Sequence, residues 1–426
     1  MPRNLTDLME AAVSAAPPET HHASDITRLA ERAQRRRTTF VAGAAALAVI
    51  AVGGGAFGLT HGQDSTPEPA APTFRHGVQI DVKDAVPASS LRGFRVLPWT
   101  QPSEQPLPGA INTLPTYVGV DDSGRLLVET YVVTGVVEPG TIRLYDAPGQ
   151  PAAPLQEPAS RTSGEKWTAR FTGDGRLLWT SNRLQGPPQG VNTVHVTDLS
   201  GGHDASIQVA SVSSGVPVWV TGDHAWYAGE QSVTSLGVEI RQLFTVPVSG
   251  GGAARLVAKD VLAADVSDGH AAWVTTDGKV HVANADGSHA REVPVPLGSG
   301  CTLTPAPQMN LTQAVAVSRG AVALTERCGK GDAAFDELLA FDMSGRLLVH
   351  VKGFTVTAMS LSGSSLAIGG VNGPKSLENL VYDLRTGTLA SLGRFTGQLA
   401  TGTPQAAGRY VLWYDGKGGH VGEFTG

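Results

Sequence analysis

From about residue 115 to the C-terminus, short apolar runs break at a polar turn containing glycine and resume as a second, longer apolar run. The turn glycines Gly124, Gly175, Gly222, Gly269, Gly320, Gly363 and Gly408 follow one another at steps of 51, 47, 47, 51, 43 and 45 residues. A period of about 40–50 residues suits four short strands per repeat and is the mark of a β-propeller. The pattern therefore predicts an all-β fold, a seven-bladed β-propeller with four-stranded blades, over residues 76–426.

The repeat has a consistent grammar. Tyr117–Val120 rises into Asp121-Asp122-Ser123-Gly124 and returns as Arg125–Val133, and a third strand, Ile142–Asp146, follows. Gly173-Asp174-Gly175, Ser267-Asp268-Gly269, Ser318-Arg319-Gly320 and Ser362-Gly363-Ser364 repeat the first turn, while Leu339–Asp342 and Val381–Asp383 repeat the third strand. Asp-Gly and Ser-Gly tips supply the positive φ that two-residue hairpins require, and strands of stacked blades are apolar on both faces. The last repeat, Arg409–Tyr414 then Gly419–Phe424, ends one strand short. An N-terminal strand, from Gly93–Leu97 or Val78–Ile80, is expected to supply the missing outer strand and hide the edge.

With Val381-Tyr382-Asp383-Leu384-Arg385-Thr386-Gly387 as its clearest copy, this grammar resembles the TolB-like and WD-repeat-like propellers over about 310 residues. It departs from true WD repeats in lacking the Gly-His and Trp-Asp pairs, and Thr172-Gly173-Asp174-Gly175 misses the later glycine of a sialidase Asp-box. The resemblance implies a fold and no enzyme.

A different pattern precedes the repeats. Residues 38–60 carry no charge, and Phe40–Leu59 supplies the roughly 20 apolar residues that a helix needs to cross a bilayer. Arg28, Arg32, Arg35, Arg36 and Arg37 stand before the span, and Asp64 and Glu68 after it. By the positive-inside rule, residues 1–37 form a cytoplasmic basic head with two short helix-like pieces, 38–60 a single transmembrane helix, and the remainder lies outside the cell membrane. A cleaved signal peptide is the competing reading, but the leader is long for one and no small-x-small site closes the span. Residues 61–75, rich in proline, read as a semi-rigid linker. Gly54 and Gly58 are spaced for close helix pairing. The head resembles that of membrane-anchored anti-sigma factors in layout but has no cysteine, and His21-His22 lacks zinc partners.

Composition sharpens this picture. The chain has 52 Gly and 27 Pro among 426 residues, which favours hairpins over helices. A net charge of -6 argues against a nucleic-acid partner. The arginine-over-lysine bias suits a GC-rich, actinobacterial genome. The two cysteines, Cys301 and Cys328, fall on the same side of one repeat, and a disulfide between them suits an oxidising exterior.

Long, uneven second-to-third-strand loops oppose the glycine turns, and loops of variable length on a rigid scaffold are where propellers host ligands. Arg183, Glu230, Arg327, Asn372 and Lys375 are the binding candidates there, chosen for charge or amide chemistry; an ordinary solvated loop residue is the default reading of each. No G-x-S-x-G, H-E-x-x-H, P-loop or CxxC motif occurs, and the histidines are scattered singly. Asn284-Ala285-Asp286-Gly287 lacks the remaining acids of a calcium loop. No catalytic residue, cofactor or metal is therefore expected. The leading reading is a binding or scaffold module for an envelope protein or polysaccharide. A hydrolase or lyase acting on envelope carbohydrate or lactone is the alternative, and needs carboxylates or a His-carboxylate cluster at the channel mouth. A third is transmembrane signalling through the cytoplasmic head.

Overall fold

The computed structural model describes residues 73–98, 112–133, 137–145, 153–155, 166–172, 174–182, 190–199, 204–211, 217–233, 239–249, 252–303, 314–329, 335–371, 377–395, 404–414 and 419–425. All belong to the unit Pro69–Gly426. The expected head and the expected span 38–60 lie outside them, and among the described residues no helix is long and apolar enough to cross a membrane.

The fold is all-β and propeller-like: antiparallel sheets follow one another in chain order, each built by an up-and-down meander. The first comprises Asn112–Val120, Leu126–Val133, Val137–Tyr145 and Ala153–Pro154; the second comprises Lys166–Phe171, Leu177–Asn182, Gly190–Thr197 and Asp204–Ser211. The third is a continuous seven-stranded sheet from Val218–Thr221 to Arg291–Val293. Its long strand Arg255–Ser267 serves two four-stranded units, pairing with Glu239–Pro247 by its first part and with His270–Thr275 by its second. The change of direction falls at Asp260, whose φ is 56°, and at a bulge before Ala263, where bending is expected. The fourth sheet contains Val315–Ser318, Ala321–Cys328, Phe335–Asp342 and Leu347–Lys352, the fifth Thr355–Ser362 to Thr388–Phe395, and the sixth Gln405–Ala407, Tyr410–Tyr414 and Gly419–Phe424.

Five of the glycine turns are two-residue loops, such as Asp268-Gly269 between the paired Ser267 and His270, with φ of 48° and 79°. Positive φ at both positions matches the twist of the flanking strands. The first two differ from the expected form, running over five residues between Val120 and Leu126 and between Phe171 and Leu177. A side chain closes each. Asp121 Oδ1 accepts the amides of Ser123 and Arg125 at 3.0 and 2.8 Å, and Thr172 Oγ1 accepts that of Arg176 at 3.0 Å. Asp342 does the same in a third-to-fourth-strand turn, accepting from Ser344 and Arg346. The recurrent aspartate at the end of an aromatic strand is thus a turn former.

Apolar clusters lie between consecutive sheets. Leu127 and Ile142 meet Leu177 and Trp179; Leu178 and Val196 meet Val220 and Tyr227; Ala272 and Val282 meet Val315 and Leu324; Leu338 and Leu348 meet Met359 and Leu366. Ala367 and Val381 then meet Val411 and Trp413, and finally Tyr410, Leu412 and Val421 pack on Val120 and Leu126 of the first sheet.

The segment from Arg75 to Val96 laces the outer edges of the last three sheets. Val78–Asp81 pairs parallel with Leu347–Lys352, Val86–Pro87 pairs parallel with Thr388–Phe395, and Phe94–Val96 pairs antiparallel with Gly419–Phe424 as the fourth strand of that sheet. Two short 3-10 turns, Val82–Asp84 and Ala88–Ser90, join these strands. Phe74, Val82, Leu91 and Phe94 bury their side chains in the sheets they cross, so the end of the expected linker 61–75 is packed rather than spacer, Arg75 N donating to Leu384 O at 2.9 Å.

Candidate functional site

The first strand of each repeat ends at its glycine turn, and these ends converge. Their turns are stitched in chain order. Arg176 donates to Gly222 O, Gly269 N to Thr221 Oγ1 at 2.8 Å, Val317 N to Asp265 Oδ2 at 2.9 Å, Ser318 Oγ to Gly363 O at 3.2 Å, and Gly408 N to Ser362 Oγ at 2.9 Å. Gly408 then abuts Asp122, and Gly124 abuts the Tyr410 ring, so the last turn meets the first. A cavity of about 660 Å³ opens among these ends, its wall mixing polar and charged side chains (Asp121, Asp122, Arg170, Asp268, Arg319, Ser362) with apolar ones such as Val120 and Phe171.

Three polar groups in this wall, Ser360, Ser362 and Asp268, tie one repeat to another. Ser360 Oγ accepts the Ala406 amide at 3.1 Å. Asp268 Oδ2 accepts the Gly363 amide at 3.2 Å and the Ser362 hydroxyl at 3.4 Å. Asp121 is ion-paired with Arg125 at 2.6 Å. Behind the wall, burial pushes the Asp265 carboxyl up to about 6, against the lowering effect of the Val317 and Val266 amides and the Trp219 indole. Burial raises Asp268 as well, opposed by its bonds to Gly363 and Ser362. Arg170 is pushed down to about 10 by burial, with Asp265 opposing, and a guanidinium at about 10 is still a cation at neutral pH.

The cavity therefore offers two guanidinium groups beside the carboxylates of Asp121, Asp122 and Asp268 and the hydroxyls of Thr172, Ser360 and Ser362. Among the described residues no histidine lines it, and groups of three His, Cys or acidic ligand atoms occur only around Glu326, away from this wall. An oriented nucleophile and base, which acyl or glycosyl transfer would require, is not assembled by the described wall.

The residues expected from the loops stand differently. Arg183, Asn372 and Lys375 lie outside the described residues. Glu230 and Arg327 sit in strands rather than loops, because pairing continues past the apolar stretch: Glu230 is opposite Arg241 and Arg327 is opposite Asp336. Arg327 is ion-paired with Asp336 at 3.3 Å and does not line the cavity. The expected disulfide is present, joining Cys301 and Cys328 directly across the pair of Cys301–Thr302 with Ala321–Cys328. The sequence does carry a signal for the cavity that the loop-based reasoning passed over. Arg170 and Asp265 each interrupt an apolar first strand shortly before its turn, where a charge has no reason to stand unless it faces another polar group.

No family model matches the sequence, and no curated protein is similar to it. Similar solved structures include a puromycin hydrolase at 15% identity and TM-score 0.43, aligned over 69% of this chain and 55% of that one. A prolyl endopeptidase aligns at 10% identity and TM-score 0.45 over 72% and 46%. The β-propeller domain of the Trilobed protease from Pyrococcus furiosus aligns at 7% and 0.43 over 71% and 90%. The chain spans about half the length of the first two. Likeness at this level assigns no activity. The class is defined by sheet order and packing: an all-β, propeller-like protein with a cavity where its first strands converge.

Proposed function

We propose that this chain is a seven-bladed β-propeller tethered outside the cell by residues 38–60, with 1–37 cytoplasmic and a spacer from 61 that ends before Phe74, where the packed propeller begins. It binds an anionic envelope polysaccharide or protein segment without transforming it. The ring reading is supported by turns that follow one another in order until Gly408 meets Asp122, and by the long strand Arg255–Ser267, which divides the third sheet into two four-stranded blades. The observation that carries the binding reading is the cavity itself: Arg170 and Arg319 line a space of about 660 Å³, and Asp268, Ser360 and Ser362 in the same wall are bonded to neighbouring turns and strands. Cavities of roughly 300–1,000 Å³ hold small ligands or the end of a chain.

The test is calorimetric titration of the detergent-extracted full chain with uronate oligosaccharides and with acidic peptides. Saturable binding is expected, and Arg170→Gln should weaken it by about tenfold to a hundredfold, the range of one charge-assisted hydrogen bond. Binding unaffected by Arg170→Gln and Arg319→Gln, or none across the panel, would overturn the assignment. The raised carboxyls of Asp265 and Asp268 favour one second reading, a hydrolase. Mass spectrometry of the same mixtures distinguishes the two: cleavage products that vanish in Asp268→Asn would replace binding by catalysis.

A further inference from the structure

We propose that Glu326, Glu337 and His350 form a site for one divalent transition-metal ion, zinc being the expected occupant. The site is separate from the cavity and does not depend on what the cavity binds. The three residues stand on adjacent strands of the fourth sheet. Glu326 is directly opposite Glu337, and His350 is opposite Leu339, two positions from Glu337, so all three side chains project from one face. Arg327 and Asp336, one step along the same strands, fall on the other face and pair with each other at 3.3 Å, so this nearby cation does not neutralise the acids.

The cluster is built and buried. His350 Nε2 lies 2.7 Å from Glu337 Oε2 and 3.1 Å from Glu326 Oε1, and one ligand atom from each residue falls within 4.8 Å of the others. Glu326 is fully buried and His350 is 8% exposed. Nε2 carries at most one hydrogen, which serves the shorter contact to Glu337, and Glu326 Oε1 is left without a hydrogen bond. The other oxygen of Glu326 is fixed by the Gly298 amide at 2.8 Å, which turns Oε1 toward the histidine; outer bonds of this kind orient metal ligands.

Charge decides between an ion and an empty cluster. Two carboxylates beside one imidazole are net negative whether or not the ring is protonated, and buried negative charge without compensation is unfavourable. A divalent cation reverses that balance. One imidazole nitrogen and two carboxylate oxygens suit zinc and leave a fourth position open. The sulfurs of Cys301 and Cys328 also lie near Glu326, but joined to each other they offer no thiolate.

The experiment uses the full chain, purified without reductant, stripped with chelator and titrated with zinc chloride. One ion per chain is expected, with a rise in melting temperature as the ion binds the folded state. Glu337→Gln and His350→Gln should each lower affinity at least about tenfold. No saturable uptake by the natural protein, or uptake unchanged in both variants, would overturn the proposal. Should both variants misfold, cobalt absorption of the natural chain decides. Visible bands of a nitrogen- and oxygen-ligated ion support the site, whereas a strong near-ultraviolet thiolate band would place the ion on the cysteines and reject it.

Discussion

At the glycine turns, each repeat is bonded to one close behind it: Gly269 to Thr221 across 48 residues, and Gly408 to Ser362 across 46. At the outer edges of the last three sheets the bonds run from one end of the domain to the other, with Arg95 reaching Glu423 across 328 residues at 2.7 Å. The first arrangement is repeated around the turns, so no single bond decides the outcome. The second is a single strap, and the edges it covers have no substitute. Exposed strand edges invite pairing with other chains, which makes the strap the natural point of failure.

Removing residues 73–97 should therefore have the largest effect. The strap buries Phe74, Val82, Leu91 and Phe94, each contributing about 1.5–3 kcal/mol, a sum comparable to the whole stability of an ordinary domain. Loss of the cooperative melt and concentration-dependent aggregation are expected by circular dichroism and light scattering. A deletion that melts like the intact chain would show that the turns alone hold the fold.

Phe94→Ala tests the same strap at one point. The ring sits 4.9 Å from Phe424 and 6.3 Å from Trp413, and it occupies the space where a side chain on Gly422 would stand. Truncation should cost about 3–5 kcal/mol in urea denaturation, the usual range for a buried aromatic. A change below about 1 kcal/mol would mean that backbone pairing, and not this anchor, seats the strap.

The sequence made these two regions legible to different degrees. The turns announce themselves because each is local: a residue at positive φ, met most readily by glycine, is a backbone requirement of these hairpins, and Gly124 through Gly408 mark every repeat. The pairing of Phe94–Val96 with Gly419–Phe424 was accessible only through a missing strand at the C-terminus; Val78–Ile80, the other strand offered for that place, pairs instead in parallel with Leu347–Lys352, and the parallel partners of Val78–Asp81 and Val86–Pro87 had no local signal. The cavity was hidden for a similar reason. Arg170, Asp268 and Arg319 come from three different repeats, and only convergence of the first strands brings them together. The buried trio Glu326, Glu337 and His350 is likewise assembled by register, with spacings that match no linear motif.

Asp265→Asn sharpens the comparison from the side of the turns and should be the mildest of these changes. Burial holds the folded carboxyl at about 6, against a usual value of 3.8. Between those values the folded protein keeps a proton that the unfolded chain has released. The contribution of this group therefore falls as pH rises from about 4 to about 6 and is constant above that. Asparagine keeps an acceptor for the Val317 amide and removes the titration. Relative to the natural protein, the variant should gain on the order of 1–3 kcal/mol across that window. Asp277 and Asp286, lowered chiefly by the Thr275 and Ser288 hydroxyls, tilt stability the opposite way, so the quantity to measure is the difference between the two proteins at each pH. A flat difference would mean that Asp265 stays equally charged in both states. The bond from Val317 N would then tie neighbouring sheets at no electrostatic cost, and the turn end would be held as firmly by its charges as by its repeated backbone bonds.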